Sequence, residues 1–111
     1  MNATGARAER RARLHYLLRG YRVLEANSRP GRVEVDLVLR RGRRLVFCEV
    51  KSKRGGGYGA PGEMVGWEKQ ERLRHAAEAW LAAHPEAAEW EIRFDVVEVT
   101  ARGVRRTANA F

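Results

Sequence analysis

Four side chains within one short stretch, Glu34, Asp36, Glu49 and Lys51, carry the chemistry of this sequence. They flank a basic turn, Arg41-Gly42-Arg43-Arg44, in a run that reads as a β-hairpin from about Arg32 to Ser52. Glycine suits the first central position of a two-residue II′ turn, where φ is positive. With Gly42-Arg43 as that loop, residues whose numbers sum to 85 face each other. Asp36 then lies opposite Glu49, and Glu34 opposite Lys51. Side chains alternate between faces along a strand. All four charged groups therefore project from one face near the open end of the hairpin. Val33, Val35, Leu37, Leu39, Val46, Cys48 and Val50 project from the other. Like charges facing each other across a strand pair repel, and acids are poor strand residues. Lys51 offers one compensating charge. A divalent cation would offer two, and hard ions such as Mg²⁺ take carboxylate oxygens while retaining water for chemistry. A solvated strand face with scattered charges is the alternative that the hairpin alone leaves open.

The rest of the chain must position that hairpin. Gly5 to Arg19 has helical spacing, with Leu14, Leu17, Leu18 and Tyr21 as the apolar stripe and Ala8 and Ala12 extending its small-residue side. Gly20 suits the position that closes a helix. Tyr21–Asn27 reads as a first strand and 27–31 as a turn. After the hairpin, five glycines within residues 55–62 make a loop that begins just past Lys51. It lacks the Gly-x-x-x-x-Gly-Lys-Ser/Thr pattern of a P-loop. It is either a cover for a site beside Lys51 or an ordinary connection. A long helix is expected from about Glu63 to Ala83, burying Val65, Leu73, Ala76, Ala77, Trp80 and Leu81. Trp67 is read as packing rather than base stacking. Trp90 to Val99 alternates as a strand with apolar residues on both faces, which suggests burial on both sides. Asp95 within it is read as structural. Val104 to Phe111 is an edge strand or a tail. The order α-β-β-β-α-β predicts an α/β fold in which a mixed sheet is flanked by helices, the last strand returning parallel across the second helix.

With 111 residues the chain makes one domain, residues 1–111. The net charge of +8 and pI near 10.7 favour a polyanionic partner, nucleic acid being the commonest. Nineteen of the 22 basic residues are Arg, which a GC-rich genome would also produce. Cys48 has no partner for an intrachain disulfide. The charged start lacks an apolar signal region, and no apolar run approaches the ~20 residues of a membrane helix. A cytoplasmic location without membrane association is the expectation. His15, His75 and His84 are not spaced as a zinc cluster.

Asp36 followed thirteen residues later by Glu49-Val50-Lys51 resembles the Asp…Glu-x-Lys signature of the restriction-endonuclease-like nucleases, the PD-(D/E)xK superfamily. The surroundings add specificity. Gly20-Tyr21-x-Val-Leu, Asn27-x-Arg29, Glu34-Val35-Asp36-Leu37-Val38, Leu45-Val46-Phe47-x-Glu49-Val50-Lys51, Tyr58-Gly59-x-Pro61, Lys69 and Arg93-Phe94-Asp95-Val96-Val97 occur in order. Together they resemble the YraN-like family of small predicted endonucleases, from about Glu9 to Val99. That family commonly has Gly-Glu-Ile-Asp where this chain has Val33-Glu34-Val35-Asp36, and Gly-Glu where this chain has Ala8-Glu9.

The resemblance implies a restriction-endonuclease-like core and metal-dependent hydrolysis of phosphodiester bonds in DNA, branched or junction DNA included. Asp36 and Glu49 would hold Mg²⁺ or Mn²⁺, supplying positive charge at the scissile phosphate and a more acidic water. Lys51 would orient or activate the attacking water, or stabilise the developing charge. Glu34 is a further acid on the same face. Comparison with archaeal Holliday-junction resolvases, which this family resembles, makes Glu9 a candidate third ligand; the alternative is an acid favouring the helix dipole. Arg10, Arg11, Lys53, Arg54 and Lys69 would contact backbone phosphates, which positions DNA without reading its sequence. Lys69 and Arg72 could equally be solvated helix residues. A homodimer follows by analogy with the resolvases. The alternative function is a non-catalytic nucleic-acid-binding protein on a nuclease fold.

Overall fold

The computed structural model describes residues 3–52 and 66–111. Five strands form one sheet in the order β1-β2-β3-β4-β5: Arg22–Ser28, Val35–Arg41, Arg44–Ser52, Glu91–Thr100 and Gly103–Thr107. Neighbours are antiparallel except β3 and β4, which run parallel. The crossover between those two contains helix α2, Trp67–Ala83. Helix α1, Ala3–Leu17, precedes the sheet. The expected mixed sheet with two helices is present, and the C-terminal stretch is a fifth, edge strand.

The β2–β3 register is the one that the glycine turn predicts, from Arg41↔Arg44 to Leu37↔Cys48. Gly42 has φ +59, as the first central residue of a II′ turn requires. Apolar residues fill both faces of the sheet. On the α1 side Leu37, Leu39, Val46, Cys48, Val97 and Val99 meet Ala8, Ala12 and Tyr16. On the α2 side Val35, Val38, Leu45, Phe47 and Val96 meet Leu73, Ala76, Ala77 and Trp80. Covering both faces explains why β3 and β4 are apolar at consecutive positions.

Four expectations need correction. Val35 packs with the α2-side cluster instead of sharing a face with Leu37. The β2–β3 ladder ends at Leu37↔Cys48, so strict alternation is not imposed below it. Helix α1 buries Ala8, Ala12 and Tyr16, while Leu14, Leu17 and Leu18 are exposed. Both sets have helical spacing. The small side chains let the helix approach the sheet, and the Tyr16 hydroxyl reaches a buried acceptor, donating to Asp95 Oδ2 at 2.6 Å. Helix α2 starts at Trp67 rather than Glu63, because Gly66 is its extended N-cap. Trp67, in the first turn and off the Leu73–Trp80 stripe, is 73% exposed rather than packed. Val65 and the glycine loop lie outside the described residues.

The end of α1 is built as its glycine suggests. Gly20 has φ +85, the Tyr21 N–H bonds to the Tyr16 carbonyl, and the Gly20 N–H bonds to the Leu17 carbonyl. This is the Schellman pattern, with its usual apolar contact supplied by the edge-to-face rings of Tyr16 and Tyr21. It turns the chain directly into β1 and sets α1 across the sheet. Asp95 then locks three segments together. Besides the Tyr16 hydroxyl it accepts the Asn109 N–H at 2.9 Å, and its side chain is buried. The structural reading of Asp95 stands on those bonds. Cys48 is fully buried, and burial holds its thiol pKa well above the ordinary range.

Candidate functional site

The acids gather where β2 begins and β3 ends. Asp36 is the second residue of β2, Glu49 and Lys51 lie toward the end of β3, and Glu34 immediately precedes β2. Asp36 is held in place by its own chain: its Oδ2 accepts the Val50 N–H at 2.7 Å. The carboxylate therefore takes over a backbone donor just past the end of the ladder, and this fixes its direction. Glu49 is buried, and its Oε1 lies 3.3 Å from Lys51 Nζ and 3.1 Å from Lys69 Nζ. Lys69 comes from the first turn of α2, so the crossover helix brings a second ammonium to the acid.

Burial, and after it the negative charge of Glu49, raise the Asp36 pKa to about 6 against the lowering effects of the Val50 N–H and Lys69. The two carboxylates thus sense each other, although the ladder ends at Leu37↔Cys48 and does not pair them directly as the hairpin arithmetic expects. The expected Glu34–Lys51 pairing does not form within the ladder. Glu34 lies outside β2, and Lys51 is instead in register with Glu98 of β4, its ammonium turned to Glu49. The parallel neighbour β4 governs that end of β3.

A cavity of about 660 Å³ opens beside Asp36. It is lined by Gly5, Ala8 and Glu9 of α1, Asn27 of β1, Glu34 and Asp36, and Val50 and Ser52 of β3. Glu9 thus joins Asp36 and Glu34 at one hollow. It sits beyond the first turn of α1, which contains no acid, so the helix-dipole reading does not hold. Its carboxylate accepts the Asn27 Nδ2–H at 3.2 Å and lies 3.7 Å from Arg13. Asn27 has φ +52. Asparagine tolerates that conformation better than most residues, so its type also looked like simple turn chemistry. Asn27 and Ser52 are cavity residues that the sequence did not single out as part of a site; the short Asn27-x-Arg29 match was the only signal.

Other expected contacts divide. Arg10 is exposed on α1. The Arg11 guanidinium donates to the Thr100 carbonyl at 2.7 Å, so it ties α1 to the end of β4. Lys69 is drawn into the acidic site. Lys53 and Arg54 lie outside the described residues.

The family model described as Uncharacterised protein family UPF0102 matches residues 8–99. The chain belongs to this family. It is 46% identical to a UPF0102 protein of Anaeromyxobacter dehalogenans, covering 88% of this chain and 72% of the relative. It is 43% identical to one of Frankia alni, covering 89% and 82%, and 40% identical to one of Bradyrhizobium diazoefficiens, covering 93% and 76%. The family match spans Glu9, Asp36, Glu49, Lys51 and Lys69.

The donor set can be tested for a divalent ion. Among the described residues no group of three or more His, Cys, Asp or Glu side chains forms a preformed cage. Zinc or calcium would want one. Two neighbouring carboxylates suit Mg²⁺ or Mn²⁺, which use one or two carboxylates and fill their other positions with water and substrate oxygens. Burial first, and the charge of Glu49 after it, raise the Asp36 pKa, and a bound cation would favour the ionised carboxylate against both. Among the described residues no helix is long and apolar enough to cross a membrane.

Proposed function

We propose that this protein is a metal-dependent endonuclease of the restriction-endonuclease-like, PD-(D/E)xK superfamily, hydrolysing phosphodiester bonds in DNA. The YraN-like resemblance and its likeness to junction resolvases make branched DNA the first substrate to try. The single observation that carries this reading is the juxtaposition of Asp36 and Glu49 with Lys51, beside a cavity that also takes in Glu9.

Asp36 and Glu49 would hold Mg²⁺ or Mn²⁺, which supplies positive charge for the phosphate oxygens and makes water easier to deprotonate. The Val50 N–H orients the Asp36 carboxylate toward that task. Lys51, tethered to Glu49, is placed to orient the attacking water or to offset charge that develops on the phosphate. Lys69 shares the same carboxylate and limits repulsion between the two acids. Glu9 and Glu34 supply further acceptors around the hollow.

One observation favours a second reading, a non-catalytic nucleic-acid-binding protein on the same fold. Glu49 already has two ammonium partners, so its charge is compensated without an ion. Purified protein offered branched, single-stranded and duplex DNA with Mg²⁺ or Mn²⁺ separates the two. Cleavage is expected, with Asp36→Ala and Lys51→Ala reducing it at least about a thousandfold, ~4 kcal/mol of barrier. Cleavage unchanged in Asp36→Ala would sink the nuclease reading. Binding to DNA without cleavage of any substrate would establish the second.

A further inference from the structure

A second cavity, about 280 Å³, lies across Glu34 from the acidic one. Glu34 borders both. The second is lined by Arg29, Arg32, Val33, Glu34, Lys69 and Arg72, four cations against one acid. Arg29 precedes a 3₁₀ turn at Pro30–Arg32 and Arg32 ends it; Lys69 and Arg72 lie one turn apart on α2.

This grouping is built into the fold. Gly31 has φ +60, and a Cβ there would fall 3.0 Å from His75 Nε2 and 3.1 Å from the Ala79 Cβ. Only glycine lets the 3₁₀ turn press so closely on α2. Arg32, just past that contact, has φ +67, a conformation in which a long side chain is uncommon. The turn thus delivers two guanidinium groups to the side of α2 that presents Lys69 and Arg72.

Elsewhere many arginines are engaged locally. Arg11 bonds to the Thr100 carbonyl, Arg19 to His15, Arg41 to Arg19, Arg44 and Arg93 to Glu91, and Arg74 to Glu71. Among the described residues the guanidinium groups of Arg29, Arg32 and Arg72 make no such bond. Four cations around one carboxylate, with Lys69 also engaged by Glu49, leave the cavity net positive, and an anion there would relieve the repulsion.

We propose that Arg29, Arg32, Lys69 and Arg72 form a phosphate subsite that holds a backbone phosphate of the nucleic acid next to the one presented to Asp36 and Glu49. This inference rests on the nuclease reading for the identity of the anion. Glu34, on the ridge between the two cavities, then marks where the strand crosses. Arginine suits the role because its planar fork meets phosphate oxygens in pairs. Lys69 links the halves, since it lines the basic cavity while touching Glu49.

The test is fluorescence anisotropy with labelled DNA and RNA oligonucleotides in EDTA across a salt series, beside cleavage assays in Mg²⁺. The proteins are wild type, Arg29→Ala/Arg32→Ala, Arg72→Ala and, as a control at the hairpin tip and first strand, Arg22→Ala/Arg43→Ala. Thermal melts establish that each is folded, and Arg72→Ala, an exposed helix position, keeps the test decisive if the double variant is not. Each subsite variant should bind about tenfold or more weakly at low salt, and its log K against log[salt] slope should be shallower by roughly 0.7–0.9 for each phosphate no longer neutralised. The control should keep the wild-type slope. Subsite variants that bind and cut as wild type does would overturn the subsite and leave the nuclease reading intact. Weakened binding in the variants with no cleavage by wild type would support the subsite and overturn hydrolysis. Absence of binding to both DNA and RNA would overturn both.

Discussion

Two carboxylates on the same sheet, the buried Asp95 and the half-buried Asp36, live in opposite settings. Asp95 receives a hydroxyl from Tyr16 and an N–H from Asn109. Asp36 receives one N–H, from Val50, and faces the charge of Glu49. The first acid is met by donors and joins α1, β4 and the C-terminal segment. The second is left with negative charge beside it at the mouth of a cavity. Burial by itself does not separate a structural acid from a reactive one; the sign of what surrounds the carboxylate does.

Replacing Asp95 should have the largest effect on stability. Asp95→Ala leaves the Asn109 N–H without an acceptor and the Tyr16 hydroxyl with only the Cys48 Sγ at 3.6 Å, for a loss of about 2–4 kcal/mol. Denaturant titration should show a lower midpoint with any DNA-cutting activity retained below the new transition. An equal loss from Asp36→Ala would erase the contrast between the two acids.

Asp36→Asn should act in the other direction. A carboxyl whose pKa rises from 3.8 in the ordinary case to about 6 in the fold binds its proton more tightly when folded. The contribution of Asp36 to the stability of the metal-free protein therefore falls as pH rises through that window and stays low above about 6. The rise corresponds to roughly 2–3 kcal/mol at full effect. The amide cannot ionise, so Asp36→Asn should gain about 2 kcal/mol at pH 8 and nothing at pH 4. Mg²⁺ should stabilise wild type at pH 8 and leave Asp36→Asn nearly unmoved. Thermal melts at the two pH values, with and without Mg²⁺, check both statements; an Asp36→Asn variant that gains nothing on wild type between pH 4 and pH 8 without metal contradicts them.

Tyr16→Phe should have the smallest effect. It removes one of the donors to Asp95 but keeps the ring against Tyr21, at a cost of about 1–2 kcal/mol. If urea titration shows no change, water has replaced the hydroxyl, and the Asp95 site is less closed than its burial indicates.

Local rules were enough for the elements and for the heart of the site. Glycine at the first position of a two-residue turn set the β2–β3 register, and that register placed Asp36 near Glu49. Apolar residues at consecutive positions in β3 and β4 announced a sheet covered on both faces, and Gly20 announced the end of α1. Local rules failed where two patterns satisfied one period. Leu14, Leu17 and Leu18 were as helical as Ala8, Ala12 and Tyr16. Only the closeness of the sheet, and Asp95 waiting under it, favoured the smaller residues and the tyrosine. They failed again at the open end of the hairpin, where β4 rather than β2 dictated the register of Lys51.

The sequence by itself thus determined which carboxylates meet, because they are joined by a short turn of known geometry. It could not determine what else meets them. Lys69 is eighteen residues beyond Lys51, and Glu9 is twenty-seven before Asp36. No period or turn rule spans those distances. Tertiary structure decided them, through the close seat of a small-residue helix on one face of the sheet and the docking of the Gly31 turn on the helix of the other.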